Sequence, residues 1–133
     1  MDWKIELLGV PVSDIDVAKE FYVKIGFNAD HDQTVDENLR FVQLTPPGSA
    51  CSIVLDKGMT SMTPGSQQSI QVVVASADEA LRQLTDLGVE AQGVEEMPWG
   101  RFVFFADPDG NRWALQELPD YAAARDAAGG SAG

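Results

Sequence analysis

The chain has 133 residues, of which 44% are hydrophobic, so it is long enough for one domain with a core of its own. Its 9 Lys and Arg against 21 Asp and Glu give a formal net charge of −12, which repels nucleic acid and anionic membrane surfaces. The sequence shows neither an apolar run of membrane-spanning length nor a signal peptide, and its one cysteine, Cys51, cannot close an internal disulfide. These features predict a cytoplasmic protein that binds neither nucleic acid nor membrane.

The first half of the chain is predicted to contain one helix among β-type segments. Ser13, with Asp16 three residues later, resembles a capping box, and apolar residues follow at helical spacing. Gly26 is expected to end this helix, at a position that favours left-handed backbone. The predicted strands are "IELLGVPV" before the helix and "FNADHD", "LRFVQLTP" and "ACSIVL" after it.

The second half repeats this pattern. Val12–Phe27 aligns without a gap on Val74–Val89, with identical residues at four positions. Ser76 and Gly88 are the expected ends of the second helix. The predicted strands are "SIQVVVA" before it and "VEAQGV", "RFVFFAD" and "RWALQEL" after it, and a Gly-, Ser- and Thr-rich linker, Asp56–Gln68, joins the two copies.

Each half is therefore a β-α-β-β-β unit. The predicted fold is α+β, with two βαβββ modules, 4–56 and 68–118, in one domain that covers residues 1–119. The helix covers one face of each sheet, and leaving the other face in water costs about 25 cal/mol per Å² of apolar surface. Pairing of the two open faces predicts a cleft, where a ligand is expected. The tail, 120–133, is expected to form a helical turn or two and then to be disordered.

Three polar side chains, Asp107, Asp109 and Asn111, lie between two apolar runs in "RFVFFADPDGNRWALQEL". A calcium loop would need further oxygen ligands, including a glutamate at the required distance. "DPDG" is instead typical of a turn, because Pro108 presets φ and Gly110 accepts a positive φ. We therefore predict a hairpin loop here rather than a metal site.

Two stretches, "LLGVPVSDIDVAKEFYVKIGF" and "FFADPDGNRWALQEL", resemble the opening and closing motifs of the vicinal oxygen chelate superfamily. The resemblance covers Lys4 to about Pro119. That superfamily includes glyoxalase I, extradiol dioxygenases, fosfomycin-modifying enzymes and bleomycin-binding resistance proteins. The resemblance therefore implies a fold but does not single out one chemistry. It also implies a homodimer, to which Trp3, Phe21 and Tyr22 are expected to supply apolar contacts.

The resemblance implies where a metal ion would bind, because metal-dependent members take two ligands from each module. The corresponding positions in this chain are Leu7, Ser52, Ser69 and Ala114. A divalent ion prefers imidazole, carboxylate or thiolate donors, which none of these side chains offers. We therefore expect no metal and no other cofactor.

The remaining candidates for catalysis are weak, and no catalytic residue is assigned. His31, the only histidine, is expected at the surface on or beside the second strand. Cys51 has no histidine near it in sequence and is interpreted as a small hydrophobic side chain. Glu95 and Glu96 precede "MPWG" at an expected loop and are predicted to be solvated.

The expected cleft suits a flat, partly polar ligand, held by stacking and a few hydrogen bonds. The acidic surface favours a cationic or neutral molecule. Superfamily members that sequester bleomycin-like drugs bind without metal, so we predict a metal-independent binder of a small aromatic molecule, with antibiotic sequestration as one form of that function. The residues expected to line the cleft are Leu7, Gln43, Ser52, Ser69, Gln71, Trp99, Phe102, Phe104, Trp113, Ala114 and Gln116.

Two other functions stay open. One is a metal-dependent lyase, isomerase or dioxygenase of the glyoxalase type, in which Gln71 and Gln116 serve as displaced ligands. The other is a module whose cleft binds a protein partner. Metal analysis of protein purified without a chelator separates the enzyme from the small-molecule binder.

Overall fold

The computed structural model describes residues 1–120, so the predicted tail, 120–133, lies outside the described residues from 121 onward. The element order is β-α-β-β-β, repeated once, so the predicted α+β fold of two βαβββ modules is confirmed. The first copy consists of β1 (Leu7–Pro11), α1 (Ile15–Lys24), β2 (Asn28–Asp36), β3 (Leu39–Thr45) and β4 (Ser52–Asp56). The second copy consists of β5 (Ile70–Val74), α2 (Ala77–Asp86), β6 (Ala91–Met97), β7 (Gly100–Ala106) and β8 (Arg112–Glu117).

The chain divides into two compact units. Unit 1 comprises Met1–Gln68 and Ala106–Arg112, and unit 2 comprises Ser69–Phe105 and the described residues from Trp113 to Asp120. The segment Ala106–Arg112 thus belongs to unit 1, although the repeat had assigned it to the second module. The assignment of residues 1–119 to a single domain stays a prediction.

The sheet of unit 1 has the strand order β1-β4-β3-β2. β1 runs parallel to β4, and β3 is antiparallel to both of its neighbours. Val42 and Leu44 of β3 are fully buried. They lie on the side of the sheet that faces α1, as shown by Asp32, which pairs with Val42 and binds Lys19 of α1. Successive residues of a strand alternate between faces, so Gln43 and Thr45 lie on the opposite, open face.

The sheet of unit 2 has the order β5-β8-β7-β6, with β5 parallel to β8 and β6 antiparallel to β7. Arg101 of β7 binds Asp78 of α2 at 2.8 Å, which identifies the side of the sheet that faces the helix. Glu95 and Glu96 lie within β6, not in a loop as predicted, because the strand extends to Met97. Both are exposed, as predicted for solvated carboxylates.

The two helices begin differently. Ser76 caps α2 as predicted, and its side chain accepts a 3.1 Å hydrogen bond from the backbone N–H of Glu79. The prediction for α1 is wrong by one residue, because Asp14 caps that helix and accepts from Val17 N at 3.1 Å. A carboxylate is as good a cap as a hydroxyl, and here it frees Ser13 for another partner.

Both helices end at glycines with left-handed backbone, as predicted. Gly26 has a φ of 110° and Gly88 a φ of 78°. Neither helix of residues 1–120 has the length and hydropathy that crossing a bilayer requires.

The "DPDG" segment is a turn, as predicted. Asp107 Oδ1 accepts from the backbone N–H groups of Asp109 and Asn111 at 3.0 and 2.9 Å, and Gly110 has a φ of 94°. The sequence also predicted β-type runs on either side, and these are β7 and β8.

The same turn is held within unit 1 by contacts that the sequence did not predict. Asp109 accepts from the backbone N–H and the hydroxyl of Ser13 at 3.1 and 2.6 Å. Asn111 donates to the carbonyl of Pro11 at 2.8 Å. Asp109 and Asn111 therefore anchor the turn to the end of β1 and the connection that follows it.

Tyr22 is also part of this anchor. Its hydroxyl donates to Asp107 Oδ2 at 2.7 Å, and its side chain is fully buried. The expectation that Tyr22 contacts a partner subunit is therefore wrong, because its ring packs against Phe21 and Phe27. Trp3, by contrast, is 87% exposed.

Candidate functional site

The open face of the sheet in unit 2 combines aromatic rings with amides. We call this surface the aromatic–amide face. It lies opposite the side that carries Arg101, and alternation along the strands assigns to it Gln71, Val73, Gly100, Phe102, Phe104, Ala114 and Gln116. These residues are alternate positions of the three neighbouring strands β5, β8 and β7.

Two parallel phenyl rings dominate this face. The ring centroids of Phe102 and Phe104 are 5.9 Å apart, with an angle of 7° between the ring planes. Phe102 is buried and Phe104 is half-buried, so the pair presents part of one ring. A flat aromatic ligand gains both apolar burial and offset stacking against such a ring.

A hydrogen-bonded chain of amides lies beside the rings. Gln71 Nε2 donates to Gln116 Oε1 at 2.8 Å, and Gln116 Nε2 donates to the carbonyl of Trp99 at 2.9 Å. These bonds fix both carbamoyl groups, while Gln71 itself remains exposed. An ordered amide of this kind can orient a ligand through a further hydrogen bond.

Gly100 leaves room for the hydrogen-bonded amides of Gln71 and Gln116. A Cβ at Gly100 would lie 3.2 Å from Gln116 Cγ and 2.6 Å from the carbonyl of Glu117, and the residue has a φ of 148°. Any larger residue would therefore displace β8 or the Gln116 side chain.

Trp113 does not belong to this face, which corrects the sequence prediction. It lies between Arg112 and Ala114 on the side of α2, where its ring stacks on Phe105 at 6.1 Å and only 1% of it is exposed. Adjacent residues of a strand point to opposite faces, so Trp113 cannot share a surface with Ala114.

The other predicted residues of unit 2 are placed as follows. The Trp99 side chain is 56% exposed in the β6–β7 turn, and Trp99 contributes its carbonyl to the amide chain. Ser69 is exposed and precedes β5. Gln71, Phe102, Phe104, Ala114 and Gln116 share the aromatic–amide face.

The open face of the sheet in unit 1 carries hydroxyl groups instead. We call this surface the hydroxyl face, and it consists of Leu7, Gly9, Phe41, Gln43, Thr45, Ser52 and Val54. Ser52 Oγ and Thr45 Oγ1 are 2.6 Å apart. The face thus includes all three predicted residues of unit 1, namely Leu7, Gln43 and Ser52.

Asp30 and Asn28 lie near this face and were missing from the predicted set. Asp30 accepts hydrogen bonds from Thr45 Oγ1 and from Asn28 Nδ2, the latter at 2.7 Å. A register shift between Ala29 and His31 places Asp30 out of the regular alternation of β2. Sequence patterns give no signal for such a bulge. The neighbouring His31 is exposed on β2, as predicted.

The four positions that correspond to metal ligands in the resemblance are Leu7, Ser52, Ser69 and Ala114, two from each module. Leu7 lies opposite Ser52, and in unit 2 Gln71 rather than Ser69 lies opposite Ala114. The register of β5 on β8 thus differs by two residues from the one that the repeat offset of 62 predicts. The four side chains that lie opposite one another offer one hydroxyl and one amide as donors.

This donor set does not fit a divalent cation. Neutral hydroxyl and amide oxygens compensate little of the charge of such an ion, which prefers imidazole, thiolate or carboxylate. Over residues 1–120, no three His, Cys, Asp or Glu side chains come together in an arrangement that would hold a metal ion.

Comparison with known proteins identifies the family. The family model of the Glyoxalase/Bleomycin resistance protein/Dioxygenase superfamily matches residues 4–115. The chain belongs to this superfamily. The resemblance in the opening and closing motifs is thereby confirmed.

Among solved structures of this superfamily, TnmS3, an antibiotic binding protein from Streptomyces sp. CB03234, is 35% identical and superposes with a TM-score of 0.82, covering 89% of this chain and 98% of its own. A glyoxalase/bleomycin resistance protein from the same organism is 36% identical with a TM-score of 0.77, covering 86% of this chain and 100% of its own. An uncharacterized Bacillus subtilis (strain 168) protein, YetH, is 29% identical over 119 residues, which is 86% of this chain and 98% of YetH.

Proposed function

We propose that this member of the superfamily binds a small aromatic molecule on the aromatic–amide face and requires no metal ion to do so. The observation that carries the proposal is the parallel Phe102–Phe104 pair beside the ordered Gln71–Gln116 amides. Rings supply most of the binding free energy through burial, and the amides supply orientation.

The expected ligand is neutral or cationic. The chain carries a formal charge of −12, which lowers the local concentration of anions and raises that of cations. On the face itself the polar groups are amides, so they neither demand nor neutralise a ligand charge. A polycyclic molecule with a few hydrogen-bonding substituents matches both features.

Antibiotic sequestration is the specific form of binding that we propose. TnmS3 is an antibiotic binding protein, and its similarity to this chain covers nearly the whole of both. Sequestration needs affinity and slow release but no reacting group, which agrees with side chains at Leu7, Ser52, Gln71 and Ala114 that carry no imidazole, thiolate or carboxylate.

The test is a thermal-shift screen against polycyclic aromatic antibiotics, followed by a fluorescence titration of each molecule that raises the melting temperature. We expect Phe104→Ala to weaken binding about tenfold, since ring stacking adds roughly 1 kcal/mol to the loss of buried surface. Phe21→Ala removes a ring from α1 and serves as the matched control. If Phe104→Ala unfolds the chain, Phe104→Leu keeps much of the apolar volume and removes the stacking.

Two results would overturn the proposal. One is a screen in which no aromatic molecule stabilises the protein, and the other is full affinity in both Phe104 variants. A ligand that binds only after Zn²⁺ or Ni²⁺ is added would instead favour the glyoxalase-type enzyme.

A further inference from the structure

A row of three oxygen-bearing side chains crosses the sheet of unit 1. Asp30 of β2 accepts from Thr45 Oγ1 of β3, and Thr45 Oγ1 lies 2.6 Å from Ser52 Oγ of β4. Asn28 Nδ2 donates to the second oxygen of Asp30 at 2.7 Å. The row therefore runs from a carboxylate at one end to the serine hydroxyl at the other.

Hydrogen-bond chemistry fixes the direction of every proton in this row. An ionised carboxylate accepts only, so the single hydroxyl proton of Thr45 must point to Asp30. Thr45 can then meet Ser52 only as an acceptor, and the hydroxyl proton of Ser52 is committed to Thr45. Ser52 Oγ keeps its lone pairs and has no proton left to donate.

Asp30 remains ionised under ordinary conditions. The hydrogen bond from Thr45, and then that from Asn28, lower the pKa of this carboxyl below its usual value, with a smaller contribution from the nearby His31. The direction of the row is therefore the same over the physiological pH range.

We propose that Ser52 Oγ is an acceptor-only binding subsite that selects small molecules carrying an O–H or N–H group. The subsite goes beyond the proposed function, since it belongs to unit 1 and does not use the aromatic–amide face. A hydroxyl or an amine would donate a hydrogen bond to Ser52 Oγ. A carbonyl or ether oxygen is itself only an acceptor, so it would be repelled by the lone pairs of Ser52 Oγ.

The surroundings of Ser52 strengthen this discrimination. Leu7 lies directly opposite it on β1, and Val54 is the next residue of β4 on the same face. Ser52 is only 5% exposed, so a group that reaches it exchanges water for a largely apolar environment. A polar group that finds no partner there loses roughly tenfold or more in affinity.

The experiment compares phenol with anisole, which differ by the methyl group that replaces the phenolic proton. Binding to the full-length protein is followed through the backbone NMR signals of Thr45 and Ser52. We expect phenol to bind about tenfold more tightly than anisole. Ser52→Ala should reduce phenol binding to the level of anisole.

Thr45 provides the decisive variants. Thr45→Val removes the hydroxyl, which frees the proton of Ser52 to donate to the ether oxygen, so the preference for phenol should fall toward unity. Thr45→Ser keeps a hydroxyl at the same place and should keep the preference, which separates the proton direction from a general effect on packing.

Three outcomes would overturn the proposal. They are equal binding of phenol and anisole to the unmodified protein, an unchanged preference in a folded Thr45→Val variant, and a lack of any response at Thr45 and Ser52 up to the solubility of phenol. A molecule bound only on the aromatic–amide face would shift signals of unit 2 instead, so failure of this subsite is distinguishable from failure of the proposed function.

Discussion

The Tyr22 hydroxyl and Asp107 Oδ2 are joined by a 2.7 Å hydrogen bond, although the two residues are 85 positions apart in the chain. Both are buried, with exposures of 0% and 5%. The bond connects α1 to the turn between β7 and β8 inside unit 1. Because the acceptor is a carboxylate, the bond is of the stronger, charge-assisted kind.

Removal of this hydroxyl should destabilise the protein. We expect Tyr22→Phe to lower the free energy of unfolding by about 1–3 kcal/mol, because a buried carboxylate oxygen loses one donor. Urea denaturation measures the change. Ser13→Ala removes a more exposed bond to the same turn and should cost less, so an equal or smaller cost for Tyr22→Phe would contradict this account.

Gly65 should tolerate no side chain. Its φ is +83°, and a Cβ would lie 2.2 Å from the carbonyl oxygen of Asp109. Gly48 has a φ of +76° but no heavy atom within 4 Å of that position, so it is the matched control. Gly48→Ala should cost about 1–2 kcal/mol, the penalty of left-handed backbone. Gly65→Ala should cost clearly more in the same unfolding experiment, and similar costs would show that the turn can move away.

The stability of unit 1 should depend on Asp32 at acid pH. Bidentate bonds from Arg40 at 2.8 and 2.7 Å, together with a 2.7 Å bond from Lys19, hold the pKa of Asp32 well below its ordinary value. A carboxyl whose pKa is lower in the folded state binds its proton more readily in the unfolded chain. Its contribution is therefore present at neutral pH and is lost as the pH falls below about 4.

Asp32→Asn should remove this dependence. We expect a loss of about 1 kcal/mol at pH 7, which shrinks as the pH is lowered toward 2. Asp16→Asn is the control, because Asp16 binds the same Arg40 but its side chain is 81% exposed. Chemical denaturation at several pH values measures both variants, and parallel pH profiles for wild type and Asp32→Asn would refute the prediction.

Metal content should be far below one ion per chain. The four positions Leu7, Ser52, Gln71 and Ala114 offer no imidazole or carboxylate, so affinity for Zn²⁺, Ni²⁺ or Mn²⁺ should be weak. Elemental analysis of protein purified without chelator measures the content. Treatment with EDTA should leave the binding of an aromatic ligand unchanged. One tightly held ion per chain would contradict the first expectation, and loss of ligand binding after EDTA would contradict the second.

A homodimer remains a prediction, and Trp3 is the side chain through which to test it. At 87% exposure its indole leaves nearly all of its apolar surface in water, where burial by a second copy would gain about 25 cal/mol per Å². Trp3→Ala should weaken the dimer in sedimentation equilibrium. Trp99→Ala, which removes another exposed indole, should not, and a monomeric wild-type protein at micromolar concentration would refute the prediction.

Local sequence signals predicted the elements because their causes are local. Ser76 and Gly88 lie at the two ends of α2, where a hydroxyl cap and a left-handed residue are needed. At α1 the same reasoning chose Ser13, because Ser13 and the adjacent Asp14 are both good caps. The choice between them depended on Asp109, which binds Ser13 and which the local sequence does not contain.

The alternation of side chains along a strand predicts which residues share a sheet face, and it gives the wrong face where the strand is irregular. Gln71 and Gln116 lie on one face, as period two requires, and the same rule excludes Trp113, which the predicted set wrongly placed beside its neighbour Ala114. Asp30 escaped prediction because a register shift breaks the alternation of β2.

The sequence by itself determined the repeated βαβββ order, the turn at "DPDG" and the absence of strong metal ligands at Leu7, Ser52 and Ala114, since these follow from residue type and short-range spacing. Only the tertiary structure decided that Asp107 meets Tyr22, that Gln71 meets Gln116, and that Ser52 ends a row which begins at a carboxylate. Such partners are distant along the chain, so their pairing depends on strand register and packing, which no short window of sequence specifies.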